Sequence, residues 1–531
     1  MRTPLLLYAL AFVVRIALIW HFPDPAYPDS FYYVDVARSL TAGNGLSVDF
    51  LWIFAEVGGT LPANPVLPIA SNAHWMPLAS LVQVPFLAVF GNVSWASALP
   101  FAFLGATAAP LTWAIARDLG ARRSVAIGAG FLTAIPVLSV VYMTQPDNFS
   151  LYQPLVIAAL WMGARGLKGS GRSFVLAGLL AGLATLSRND GLLVLAALGI
   201  AFAWDRWRAW RSRGASAPAI PFAAALACVA VFALVMAPWW LRQLAVFGSL
   251  SPSTASGKVL FIRDIAEWNS ITTPATLDHL LGQGLGPLLA SRIGGLIAAL
   301  MIYVTLVAGF VLAPFMLIGG WSRRRSLAFG PFFVFAGLLF AFSTIVSAVH
   351  VPGGTFIHSA VALAPHSYIL ALEGIAVAVG WVAARRRAWD VVTATRAFTG
   401  AALVFAAGAA VFGSIFVHQV WADSRRDFQA ITAALDEAGA ASTDRVMSID
   451  ASGTRFWSGR GGVVLVNDPL DTIQDVVRAY DIRWLVLDRG DSVTAVAPIL
   501  DGGARPAWLG PPILAEGQPT RLAVYPVEPA S

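Results

Sequence analysis

Cysteine is almost missing from this chain: Cys228 is the only one in 531 residues. That excludes intrachain disulfides and thiolate metal clusters, and leaves the redox compartment open. Charge is scarce as well. Only 12% of residues are Asp, Glu, Lys or Arg against 57% hydrophobic, and the mean hydropathy of +0.70 lies outside the range of soluble domains. There is no internal repeat and no low-complexity tract. No small-residue cleavage site closes the apolar stretch 5–22, so it reads as a retained first span rather than a signal peptide.

What is present is a series of apolar segments joined by basic links. A span needs roughly 20 apolar residues, fewer where the bilayer thins. Segments of that kind cover 5–22, 95–116, 124–143, 149–166, 173–187, 190–204, 218–240, 295–318, 328–348, 365–383 and 397–417. The basic links are Arg117/Arg122/Arg123, Arg165/Lys168/Arg172, Arg206/Arg208/Arg211/Arg213, Arg323/Arg324/Arg325 and Arg385/Arg386/Arg387. Taken as cytoplasmic, they share one side of a membrane. All are short, so no soluble catalytic domain and no nucleotide pocket fits on that side. The net charge of +6 and pI near 9.7 come largely from these links, and so report topology and anionic lipid rather than nucleic acid.

Residues 77–90 are apolar too, but a helix of about 14 residues reaches only about 21 Å, short of a ~30 Å core. Were it a span, the first basic link would face outward. It is therefore expected to lie along the outer interface. The expected fold is a polytopic α-helical membrane protein of about eleven spans, N-terminus inside and C-terminus outside. Residues 1–417 would form the membrane domain, with outer inserts 23–94, 242–294 and 349–364. Residues 418–531 change composition and carry strand-like runs at 445–450, 462–466, 483–488 and 521–527, with an amphipathic helix at 471–480. This predicts a small extracytoplasmic α/β domain.

Polar candidates gather at the outer ends. Pro28 and Asp29 open a helix whose apolar face is Phe31, Val34, Ala37 and Leu40, stopping near Gly43. Asp29 or Ser30 can cap it. Asp29 can equally serve as a carboxylate at the membrane surface. Two charges, Arg15 and Glu373, fall inside spans; each must face the bundle interior or a wet cavity, and pairing with each other would satisfy both. His350, His358 and His366 flank Gly353 and Gly354, but their spacing fits no standard zinc motif, and metal binding there is not expected.

Pro28-Asp29-Ser30 with Tyr33, then Ala37, Leu40, Gly43 and Gly45, resembles the start of the GT-C fold glycosyltransferases related to protein O-mannosyltransferases and the lipid A aminoarabinose transferase. His74-Trp75-Met76-Pro77-Leu78, running to Phe90-Gly91, looks like that group's Pro-Pro-Leu…Phe-Gly segment. Asp147 sits where the group has an acidic residue in its second outer loop, and Ser187-Arg188-Asn189-Asp190-Gly191 where it carries a turn between spans. The resemblance covers roughly residues 5–240. Ser30 stands where a Glu often follows the Asp, and Met76-Pro77 replaces the double proline.

The resemblance implies transfer of a sugar from a polyprenyl-phosphate donor to a lipid, glycan or protein acceptor on the outer face, with inversion. Asp29 would be the general base. Arg188 would meet the leaving phosphate, or else anchor its turn at the interface. Asp147 would orient the acceptor, hold a divalent ion beside Asp29, or solvate a turn. Tyr33, His74, Arg242, Lys258, Arg263 and His358 are candidate substrate-positioning residues; Arg242, Lys258, Arg263 and Arg292 could also serve only to attract lipid headgroups. No cofactor other than a divalent metal is suggested. The rival is a transporter or flippase, which would show repeated halves and mid-span ionisable groups. The expected location is a cell membrane, plasma or inner.

Overall fold

The structure, a computed structural model, describes residues 2–212, 217–250, 257–262, 265–346, 354–386, 389–489 and 493–528. Among them, seven helices are long and apolar enough to cross a membrane: Arg2–His21, Ser94–Asp118, Phe222–Phe247, Leu285–Val307, Leu327–Val346, Ala364–Ala383 and Val391–Glu437. This is a polytopic α-helical membrane protein.

Other expected spans form helices too, with different bounds. Phe149–Gly166 and Gly171–Ser187 match closely, while Leu192–Arg211 runs on past 204 through Arg206, Arg208 and Arg211 of the expected basic link. The segment 124–143 is α-helical only over Arg123–Ala134, because Pro136 disfavours helical backbone at Ile135. The irregular chain that follows is mostly buried in protein, where non-helical backbone at membrane depth is tolerated. The segment 295–318 divides in two. Its first helix begins earlier, at Leu285, inside what was expected to be outer insert. The chain breaks at Gly309 and Phe310, both left-handed, and resumes as Ala313–Arg323 with Pro314 in its first turn. That second helix crosses Ala364–Ala383 closely: a Cβ at Gly319 would lie 1.9 Å from the Leu370 carbonyl, and one at Gly374 2.0 Å from that of Phe315.

Arg15 and Glu373 do not pair. Arg323 binds Glu373 through two hydrogen bonds of 2.8 and 2.5 Å. Arg15 instead donates to the carbonyls of Ala11 and Ala134 at 3.1 and 3.3 Å. Ala134 ends its helix, so its carbonyl has no partner within it and an arginine can take it.

The short helices Leu78–Leu81 and Val84–Phe90 pack on the Pro28–Thr41 helix, with Ser80 and Gln83 donating to the Tyr33 carbonyl. They expose Leu81, Val89 and Phe90 on the other side. Both are too short to cross a bilayer, as their length in sequence demanded.

The tail is the expected α/β unit, with one addition. Its six-stranded sheet runs in the order Phe50–Leu51, Gly462–Val464, Arg445–Ser448, Ile482–Asp488, Leu522–Pro526, Leu514–Glu516. The first four strands are parallel and the last two pair antiparallel. Helix Leu470–Ala479 buries Ile473, Val476 and Val477 against it. Strand Phe50–Leu51 comes from the 23–94 segment, so that insert and the tail share one sheet. Helix Val391–Glu437 runs unbroken through 417 and 418. At 47 residues it is about 70 Å long, twice a bilayer core, and its C-terminal end sets Ile431 and Leu435 against the sheet.

Candidate functional site

Pro28 occupies the first turn of its helix, and Ser30 rather than Asp29 ties the turn down. The Ser30 hydroxyl accepts from the Ala26 and Tyr27 amides at 2.9 and 3.1 Å and donates to the Tyr27 carbonyl at 2.7 Å. Asp29 is therefore not spent as a cap. Its Oδ1 accepts from Trp75 Nε1 at 2.9 Å, and Trp75 is held by stacking on Tyr32 with ring centroids 4.1 Å apart.

Asp147 lies opposite, at the start of the Phe149–Gly166 helix. Its side chain is wholly buried; Oδ2 accepts from the Tyr27 hydroxyl at 3.0 Å and Oδ1 from the Asn148 amide at 2.5 Å. His358, on the Gly354–Ala360 helix, stands between the two. Its Nε2 is 3.7 Å from Asp29 Oδ2 and its Nδ1 3.5 Å from Asp147 Oδ2, while its ring stacks on Phe149 at 4.6 Å. Tyr33 completes the group, its phenol hydrogen-bonded to Asn148 and close enough to feel both carboxylates.

Arg188 ends the Gly171–Ser187 helix in extended backbone, and the turn that follows closes tightly. At Gly191 a Cβ would come within 2.5 Å of the Thr185 amide nitrogen, so only glycine fits. Arg188 Nε pairs with Asp190 Oδ1 at 3.0 Å, and Asp190 Oδ2 accepts from Ser359. Asn189 donates to the His74 carbonyl at 3.2 Å, which ties this turn to the first insert.

The electrostatics follow from burial. Burial and then the charge of Asp29 push Asp147 up to about 7. Asp29 is also raised by burial, against the opposing pull of Trp75 and Arg188. Its side chain keeps 27% exposure, so it is the member of the pair that carries charge when only one does. Burial, then Arg188, hold His358 well below its ordinary range, which leaves a neutral imidazole. Burial pulls Arg188 down, but Asp190 outweighs it and the guanidinium stays charged.

The ligand atoms of Asp29, Asp147 and His358 all lie within 4.8 Å of one another. Two carboxylates and a neutral imidazole suit a divalent cation, and among the described residues His358 Nδ1 is buried without a hydrogen-bond partner. This group is not the histidine cluster weighed from the sequence: it joins one of those histidines to Asp29 and Asp147, the pair beside which a divalent ion was considered. His366 stacks on Phe332 elsewhere, and His350 lies outside the described residues.

The structure thus brings together Asp29, Asp147, Arg188, Tyr33 and His358, with His74 beside them. The His74 ring meets Trp75 and Trp268 edge-on at 5.1 and 5.6 Å. Arg242 is placed otherwise: it binds the Ser71 carbonyl at 2.7 Å and stacks on Trp239 and Phe247, tying a span to the first insert. Arg292 donates to its neighbour Ser291 at 2.8 Å. Arg263 lies outside the described residues, and of Lys258 only the backbone is described. Trp75, Tyr27, Asp190 and Ser359 were not foreseen in these roles. Asp190 alone carried a signal, its place two residues after Arg188.

Fold and comparisons agree on the class: the chain has the GT-C glycosyltransferase fold. Residues 74–240 match the dolichyl-phosphate-mannose-protein mannosyltransferase family. Among solved structures, the chain is similar to ArnT from Cupriavidus metallidurans bound to undecaprenyl phosphate. Identity is 15% and the TM-score 0.58, covering 98% of this chain and 97% of that one. It is also similar to the Archaeoglobus fulgidus oligosaccharyltransferase in complex with Zn and sulfate, at 14% identity and a TM-score of 0.59, covering 92% and 68%. No curated protein matches it in sequence.

Proposed function

We propose that this protein moves a sugar, with inversion, from a polyprenyl-phosphate carrier to an acceptor on the extracytoplasmic face of a cell membrane. The observation that carries the reading is the meeting of Asp29, Asp147 and His358 beside Arg188, from four segments far apart in sequence. The matched family and the similarity to ArnT, whose structure holds undecaprenyl phosphate, support a lipid-phosphate donor. On this reading residues 1–417 form the membrane-embedded transferase and 418–531 the outer domain, with the N-terminus in the cytosol.

Asp29 accepts the proton that an acceptor hydroxyl or amine sheds as its oxygen or nitrogen attacks the anomeric carbon. The bond from that carbon to the phosphate oxygen breaks, and polyprenyl phosphate leaves with its electron pair. Arg188, locked in direction by Asp190, meets the charge that develops on this oxygen. Asp147 and Tyr33 form the wall that positions the acceptor. Asp29, Asp147 and His358 would hold a divalent cation, which when bound would supply Lewis-acid stabilisation of the acceptor oxygen.

Mass spectrometry of envelope glycans and lipids, with and without the protein, tests the reading. Loss of one glycoform, restored by the wild-type gene, is the expected result. Unchanged glycans with accumulation of a solute would replace it with a transporter.

A further inference from the structure

We propose that Asp468 is a positioning residue through which the tail sheet holds a roof over the site; the inference rests on the glycosyl-transfer reading. Asp468 follows strand Gly462–Val464 and is buried. Its carboxylate reaches out of the tail into the second large outer insert and is wrapped by three consecutive residues. Oδ1 accepts from the Ser270 hydroxyl at 2.7 Å, from the Thr272 amide at 3.1 Å and from the Thr272 hydroxyl; Oδ2 accepts from the Ile271 amide at 2.8 Å.

Among the described residues no cation pairs with Asp468. A buried carboxylate is tolerated there because the insert supplies four donors to it. Asn467 adds a second tie, its amide donating to the Asn269 carbonyl at 3.0 Å and its side chain to that of Ala266 at 3.1 Å. The segment so fastened carries Trp268, which packs in one cluster with Tyr32, Tyr33 and Trp75 and meets the His74 ring. Trp75 in turn holds Asp29. The path from the tail to the base is continuous: Asp468, the 270–272 backbone, Trp268, His74 and Trp75, Asp29. A carboxylate rather than an amide is required at 468, because an asparagine would turn an N–H toward one of the donors.

Hydrogen exchange on the purified full-length protein reads the latch directly, through the Ile271 and Thr272 amides. In Asp468→Ala these should exchange about 10- to 100-fold faster, as for loss of hydrogen bonds to a charged group. The Ile482–Asp488 strand should stay protected. Thr272→Val, which leaves the tail untouched, should show a smaller effect of the same kind. Transfer assays should show a lower kcat per folded molecule in both, with partial recovery in Asp468→Asn. Unchanged exchange at Ile271 and Thr272 would overturn the latch, and faster exchange with wild-type kcat and KM would overturn the positioning role. Should the wild type transfer no sugar, the glycosyl-transfer reading falls, while the exchange arm still decides the latch.

Discussion

Asp29→Asn is expected to abolish transfer while leaving the fold intact, and the structure sets both magnitudes. Asp29 makes no capping bond, because Ser30 ties down the helix start. Its one hydrogen bond among the described residues, from Trp75 Nε1, survives the change, since an asparagine Oδ1 accepts equally well. The stability change should therefore stay within about 1 kcal/mol. What disappears is the proton-accepting carboxylate. General-base catalysis is worth about 10²–10⁴ in rate, or about 2.7–5.4 kcal/mol of barrier. The assay is transfer of labelled sugar from a synthetic polyprenyl-phosphate donor by protein in nanodiscs, beside a thermal melt of the same sample. Loss of rate at constant melting temperature is the expected outcome. An Asn variant that transfers at close to the wild-type rate would remove Asp29 from the mechanism and leave Asp147 as the next candidate base.

Other outcomes follow from neighbouring features. Arg188→Lys should fold normally and weaken donor use, since a lysine keeps the charge but loses the planar fork; Arg188→Ala should also destabilise, by leaving Asp190 buried without its cation. In that case Arg188→Ala with Asp190→Asn would regain melting temperature without regaining transfer, and recovery of both would demote Arg188 to an anchor. Glu56 is buried, and burial pushes it up to about 7 from 4.5 against the opposing pull of hydrogen bonds from Tyr32 and the Ala73 backbone. The folded state therefore holds this proton more tightly than the unfolded one, so its stability contribution is full below 4.5 and is lost as pH rises through about 7. Over that window the loss amounts to about 3 kcal/mol, and Glu56→Gln should flatten the wild-type fall in melting temperature between those limits; parallel curves would refute it. A reporter active only in the cytosol should work when fused after Arg325 and fail at the C-terminus; activity at the C-terminus would place the tail inside and end the outer-face mechanism.

Much of the fold was legible because hydropathy and helix length are local properties. A run such as Ala364–Ala383 states its own solvent, and residues 77–90 declare by length alone that they cannot cross. The tail strands at Arg445–Ser448 and Ile482–Asp488 are short runs rich in apolar residues, so they too could be read directly. The proline and the apolar face place Asp29 at a helix start beside the membrane, but it was the family resemblance that singled it out as the base. The partners of these residues could not be read. Asp147 meets Asp29 across more than a hundred residues, and His358 joins them from a third segment; periodicity says which face a side chain takes, never which distant face it meets. Strand Phe50–Leu51 is two residues long, too short to carry a pattern, and is a strand only because Gly462–Val464 offers it a free edge. The break at Phe310 and the pairing of Glu373 with Arg323 rather than Arg15 were likewise decided by packing. In this protein the sequence by itself determined which segments live in lipid, which in water, and where the carboxylates emerge. The tertiary structure alone decided which of those carboxylates share a site, because that depends on how the helices cross and not on what any one of them contains.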